Sequence, residues 1–163
     1  MPMEKRKMKP EQALMRLESL CARSEQSTWE LRQKLMRWGI DDAASGKIME
    51  QLVKTKFVDD CRFAHAYCRD KFRFSRWGKV KITNGLVQKR ISKEYINDAL
   101  TEIDEQEYEQ TLLELLRHKS KTIEDVWSYD GKTRLFRFGV SRGFEPSMVV
   151  KLINGGRIWA SED

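Results

Sequence analysis

The three prolines of this chain stand at Pro2, Pro10 and Pro146, leaving residues 11–145 free of the residue that most strongly interrupts a helix. Long helical hairpins are therefore allowed over nearly the whole length. The apolar residues use that freedom at helical spacing: Ala13, Leu17, Leu20 and Cys21 share one face, as do Leu31, Leu35 and Trp38, and then Tyr108, Leu112 and Leu115. Period-two alternation is nearly absent. The exception is 126–138, where Asp130-Gly131 between partly alternating flanks offers a hairpin turn.

Helix boundaries follow at short intervals. Ser27 with Glu30 three residues on reads as a capping box, Gly39 as a helix end, Asp41 or Asp42 as the next start, and Asp59-Asp60 as another. Short links between short helices raise the question of an internal period, and one exists. Trp38–Asp42, Lys89–Lys93 and Arg142–Pro146 align at offsets of 51 and 53 residues, each reading as the same turn between two helices. Upstream, Leu31 aligns with Ile82 and Leu135; downstream, Ile48-Met49 aligns with Ala99-Leu100 and Leu152-Ile153. The expectation is an all-α chain of three tandem three-helix repeats forming an elongated, curved array. Its parts are a basic disordered tail over 1–10, repeats over 11–57, 58–103 and 104–155, and a tail over 156–163. The third copy requires Leu135 on a helix, which favours a helix over the hairpin at Asp130-Gly131.

Charge is segregated along the chain. Residues 1–100 carry 22 basic and 13 acidic side chains, net +9, whereas 101–163 carry 9 and 12, net −3. Within 62–90 nine bases face one acid, Asp70, a density that attracts polyanions in a salt-sensitive way. On a helix, Arg62, Arg69, Arg73 and Arg76 form a stripe suited to paired hydrogen bonds with phosphate or carboxylate. A merely solvated face is the plain alternative. Phe63, Tyr67 and Phe74 cluster on another side and read as core.

Other chemistry is sparse. His65 and His118 have no cysteine or serine partner at a motif spacing, and neither a phosphate-cradling glycine loop nor a carboxylate pair stands out. No enzyme activity and no cofactor are expected. Cys61, His65 and Cys68 lie at helical spacing, but the two cysteines would stand about 10.5 Å apart along a helix; they read as packing residues rather than metal ligands. Three cysteines without a framework spacing suit a reducing cytoplasm, and no apolar stretch approaches the roughly 20 residues that cross a bilayer.

The combination Asp59-Asp60, Arg62-Phe63-Ala64, Tyr67, Arg69, Trp77-Gly78 and Ile82, with Ser27, Glu30-Leu31, Leu35 and Gly39 upstream, resembles the recombination regulator family RecX over residues 11 to 154 or so. The resemblance implies a cytoplasmic, non-enzymatic protein of three three-helix repeats that modulates the recombinase RecA. Family members lodge in the groove of the RecA filament on single-stranded DNA and restrain its growth, ATPase, strand exchange and co-protease activity. This chain departs from the family at the second-repeat turn, where Arg90 replaces the common glycine, and by Gly85 inside a helix.

The expected filament-facing or DNA-facing residues are Arg62, Arg69, Arg73, Arg76, Lys79 and Lys81, with Arg32 and Arg37 as first-repeat equivalents. Leu31, Leu35, Gly39, Asp59, Asp60, Phe63, Ala64, Tyr67, Trp77, Gly78 and Ile82 are expected to act mainly in the structure, Trp77-Gly78 as a corner. A monomer is expected, because no self-complementary apolar stripe is evident. The alternative is a direct DNA-binding regulator resembling helix-turn-helix proteins.

Overall fold

The computed structural model describes residues 7–160, and the first six residues of the expected basic tail lie outside them. Nine α-helices and no strand occur among the described residues: α1 (Pro10–Arg23), α2 (Thr28–Arg37), α3 (Asp42–Lys54), α4 (Asp60–Arg73), α5 (Lys79–Gln88), α6 (Lys93–Leu100), α7 (Glu105–Ser120), α8 (Tyr129–Ser141) and α9 (Pro146–Asn154). They pack in threes, each consecutive triplet forming one repeat. Asp130-Gly131 lies in α8, capped by the Ser128 hydroxyl accepting from the Gly131 N–H at 3.0 Å. Residues 157–159, expected in the C-terminal tail, form a 3₁₀ turn with Ile158 buried and Trp159 stacked 4.2 Å from Trp127.

The aligned turns share one backbone solution. Gly39, Arg90 and Gly143 have φ of +74°, +59° and +93°, and the next residue, Ile40, Ile91 or Phe144, is buried. Its N–H returns to the carbonyl five residues earlier: Ile40 to Leu35 at 3.1 Å, Ile91 to Leu86 at 3.1 Å, and Phe144 to Gly139 at 3.3 Å. This is the Schellman stop, in which a left-handed residue closes the helix and an apolar residue covers the break. The second helix of each repeat ends there and the third starts two residues later.

The joints between repeats are made by caps donated across them. Asp59 caps its own helix, accepting from the Arg62 N–H at 3.1 Å. Asp60 turns away to the first repeat, accepting from the Thr28 N–H and hydroxyl, both at 2.8 Å. Ser27 caps α2 as expected, but the reciprocal half of the capping box is missing, because Glu30 pairs with Lys89 of α5 instead. At the second joint α5 begins at Gly78 with no side-chain cap. Its exposed donors are satisfied by the third repeat: Gly78 N–H to Arg142 O at 2.8 Å, Lys79 N–H to the Tyr108 hydroxyl at 2.9 Å, and Val80 N–H to Gly143 O at 2.9 Å. A Cβ on Gly78 would collide with the Gly143 backbone, so this close approach requires glycine.

The core follows these joints. The first repeat encloses its own cluster around Leu17, Leu31, Leu35 and Leu52. The second and third share one continuous core, joined through Phe72, Tyr108 and Phe144, whose rings lie 5.9 and 5.0 Å apart in succession. One aromatic expectation is corrected. Phe74 is 83% exposed and Phe72 takes its place inside, because the buried stripe of α4 runs Ala64, Cys68, Phe72 at four-residue steps and Phe74 lies beyond the last helical residue.

Two sets of variants test this construction by chemical denaturation. Arg90→Gly is expected to stabilise the chain by about 1 kcal/mol through relief of left-handed strain, and Gly39→Ala to destabilise it by about the same amount, since a Cβ there meets no other atom. Gly143→Ala is expected to cost more, because its Cβ would also strike Lys81. Asp60→Ala is expected to lose about 1–2 kcal/mol and to accelerate hydrogen exchange at the start of α2, whereas Asp59→Ala accelerates it at the start of α4.

Candidate functional site

The basic segment 62–90 does not make one surface, because α4 divides it. Residues two apart on a helix point about 160° from one another. Arg69 and Arg73 accordingly face the α6 side, where they line a small pocket with Glu102 and Glu107, Arg69 standing 3.9 Å from Glu102. Lys71 faces the α5 side. There its ammonium lies 4.7 Å from the centre of the Trp77 ring and 5.5 Å from Tyr67. Lys81, one turn into α5, covers Trp77 as well, at 4.6 Å.

The α5 side thus carries an aromatic row roofed by cations. Phe63, Tyr67 and Trp77 follow one another at 5.8 and 6.5 Å between ring centres. Tyr67 and Trp77 are partly exposed, while Phe63 is rooted in the core. Gly85 explains itself here: a Cβ would overlap the Tyr67 ring, so the glycine makes the room in which that ring lies. Burial, followed by the Glu30 carboxylate, pushes the Tyr67 phenol above its ordinary pKa. Lys89 extends the row to the first repeat, lying 5.9 Å from Phe63 while pairing with Glu30. Glu30 in turn lines a groove of about 500 Å³ with Gln26, Trp29, Gln33, Lys34 and Arg37. The result is a face that runs from α2 to α5 and presents lysine ammonium groups over rings. Such an arrangement holds the lysine stems in place and offers their charge to an anionic partner.

Other expected contact residues also pair across the joints, Arg62 and Arg76 while keeping close to half of their side chains exposed. Arg62 pairs with Glu25 at 2.6 Å and donates to the Lys56 and Phe57 carbonyls, tying the first repeat to the second. Its guanidinium pKa is raised by that bond to Glu25. Arg76, itself at φ +54°, bonds Glu114 at 3.0 Å, and Lys79 bonds Glu105 at 2.7 Å and covers Tyr108 at 4.7 Å. Arg32, Arg37 and Arg73 are exposed. The acidic run 102–109 also has structural work: Asp104 caps α7, and Glu105 and Glu107 sit in its first turn, where the helix dipole favours them.

The residues expected to be structural are distributed as follows. Leu31, Leu35, Ala64 and Ile82 are fully buried, Gly39 forms the first corner, and Gly78 the second joint. Cys68 is a core residue whose thiol is pushed up to about 11 by burial and, less, by Glu102. Cys61 and His65 are not in the core with it. Both are partly exposed, on the α4 side that faces α6. The sequence places Lys71 and Lys89 in the basic run 62–90 without singling them out, and gives no reason to pick Trp29. The available signals were the four-residue steps Phe63, Tyr67, Lys71 on α4 and Trp77, Lys81 across the start of α5, each of which sets an ammonium group one turn from a ring.

Comparison with known proteins agrees with this architecture. Residues 59–100, which contain α4 to α6, match the family model of the RecX second three-helix domain. The regulatory protein RecX of Clostridium botulinum is 31% identical over 71% of this chain and 54% of its own length; the chain spans about half the length of such clostridial relatives. The regulatory protein RecX of Amycolatopsis mediterranei is 25% identical over 94% of this chain and 86% of its own. The crystal structure of RecX from Lactobacillus salivarius superposes with a TM-score of 0.76 over 90% of this chain and 95% of that one, at 17% identity, and so shares the fold. With a second repeat that matches the family's own, relatives aligned across most of its length and a fold shared with a solved member, the chain belongs to the RecX family.

Proposed function

We propose that this protein is a non-enzymatic regulator that docks on the RecA recombinase filament on single-stranded DNA and restrains its growth, ATPase, strand exchange and co-protease activity. The observation that carries the reading is the cation-roofed aromatic face running from α2 to α5. A filament groove exposes phosphates and subunit surfaces together, and a strip of serially joined repeats can follow it. Lys71, Lys81 and Lys89 would meet the anionic partner, Arg32 and Arg37 would extend the contact in the first repeat, and Arg69 and Arg73 would serve the opposite side of α4. Long-range attraction accelerates such an encounter, and close contacts then hold the pose. Among the described residues no helix is long and apolar enough to cross a membrane, and we place the protein's action in the cytoplasm, as a monomer.

The test is the ATPase rate of RecA preassembled on single-stranded DNA, titrated with this protein at two salt concentrations beside a DNA-only binding control. Inhibition is expected well below the concentrations that coat bare DNA. Inhibition only where bare DNA is already coated would instead favour direct DNA binding through the same basic face. The double reversals Lys71→Glu with Lys81→Glu, and Arg69→Glu with Arg73→Glu, are each expected to raise the half-inhibitory concentration about 10-fold. Helicity is expected to persist, with stability within about 0.5 kcal/mol for the exposed arginines. Normal inhibition by either variant removes that side of α4 from the interface.

A further inference from the structure

Cys61 and His65 stand one turn apart on α4, and Asp98 reaches them from α6, which packs along it. One ligand atom from each of the three lies within 4.8 Å of the others. We propose that Cys61, His65 and Asp98 bind a zinc-class divalent metal ion that clamps α4 to α6 in the second repeat. A thiolate, an imidazole and a carboxylate are the donor types that a borderline ion such as Zn²⁺ selects, and three protein ligands leave its fourth position to water or to a partner's side chain.

The geometry is close to that of a bound state. Tetrahedral zinc with ordinary bond lengths places its ligand atoms about 3.3–3.6 Å apart. The His65 Nε2 already lies 2.9 Å from Asp98 Oδ2, so side-chain rotation completes the site without movement of either helix. Both helices are anchored beside it by buried neighbours, Ala64 and Cys68 on α4 and Ile96 and Ala99 on α6.

The surroundings support a cation. The other ring nitrogen, Nδ1, is buried without a hydrogen-bond partner and lies 2.8 Å from Glu102 Oε1, so a small turn of that carboxylate would make it the outer group that orients a metal-bound histidine and raises its basicity. Asp59 and Glu102 add negative charge near the thiol, while Arg69, 3.9 Å from Glu102, is the neighbouring base.

The experiment uses the full chain, reduced and freed of metal by a chelator, titrated with Co²⁺ as the spectroscopic probe. One equivalent is expected to produce thiolate-to-cobalt charge-transfer absorption together with the visible bands of a tetrahedral ion, both abolished by excess Zn²⁺. Zn²⁺ alone is expected to raise the melting temperature with increasing concentration. Cys61→Ser removes the charge-transfer band, His65→Gln and Asp98→Asn weaken binding at least 10-fold, and Glu102→Gln weakens it about 10-fold; Cys21→Ser leaves the band in place. Far-ultraviolet circular dichroism checks that each variant is folded. Absence of the band in the native chain, its survival in Cys61→Ser, or binding indifferent to His65→Gln overturns the assignment. None of these readouts depends on the recombinase, so the site and the regulatory reading stand or fall separately.

Discussion

The structure depends on how the first turn of α5 is satisfied. A helix start leaves several backbone N–H groups without partners inside the helix, and α5 begins at a glycine that supplies no side-chain cap. The third repeat provides what is missing, through the carbonyls of Arg142 and Gly143 and the hydroxyl of Tyr108. Two glycine backbones must touch for this to occur, which is why Gly78 and Gly143 stand where they do. Tyr108 is committed further by donating its own proton to Glu145 at 2.7 Å, with burial pushing its pKa up. One set of bonds thereby ends α8, starts α5 and aligns the second repeat with the third.

The first joint follows the same logic with charged groups. Asp60 caps α2 across the boundary, and Arg62 with Glu25 and Lys89 with Glu30 bridge the same gap. Here the apolar cores on the two sides are separate, so polar bonds carry a larger part of the connection than at the second joint. Exposed ion pairs are individually weak, and the first repeat is accordingly the one whose attachment rests on the fewest buried contacts. The proposed contact face crosses this same boundary. Glu30 pairs with Lys89 across the joint and also lines the groove of the first repeat, so binding at the proposed face would be coupled to the set of the first repeat through that ion pair.

Much of this was legible beforehand, for identifiable reasons. The three corners could be aligned from sequence because a Schellman stop requires a left-handed residue followed by an apolar one, and Gly39-Ile40, Arg90-Ile91 and Gly143-Phe144 keep that order even where arginine replaces glycine. The helix over Tyr129–Ser141 was recoverable only through the repeat, since local turn chemistry at Asp130-Gly131 pointed to a hairpin. Phe74 was misplaced because helical phase alone does not say where the helix ends. The basic cluster was visible as composition, but its division was not: Arg69 and Lys71 are neighbours in sequence and lie on opposite sides of α4.

The sequence by itself determined the helices, their corners and the grouping into three repeats, because these follow from periodicity, capping chemistry and backbone conformation within a few residues. Only the tertiary structure decided which charges pair across the joints and which lie over aromatic rings. Arg62, Arg76 and Lys79 hold repeats together while Lys71 and Lys81 lie over Trp77, and Asp98 comes to Cys61 and His65 from more than 30 residues away. Those partners are set by how helices distant in sequence pack against one another, which no local pattern encodes.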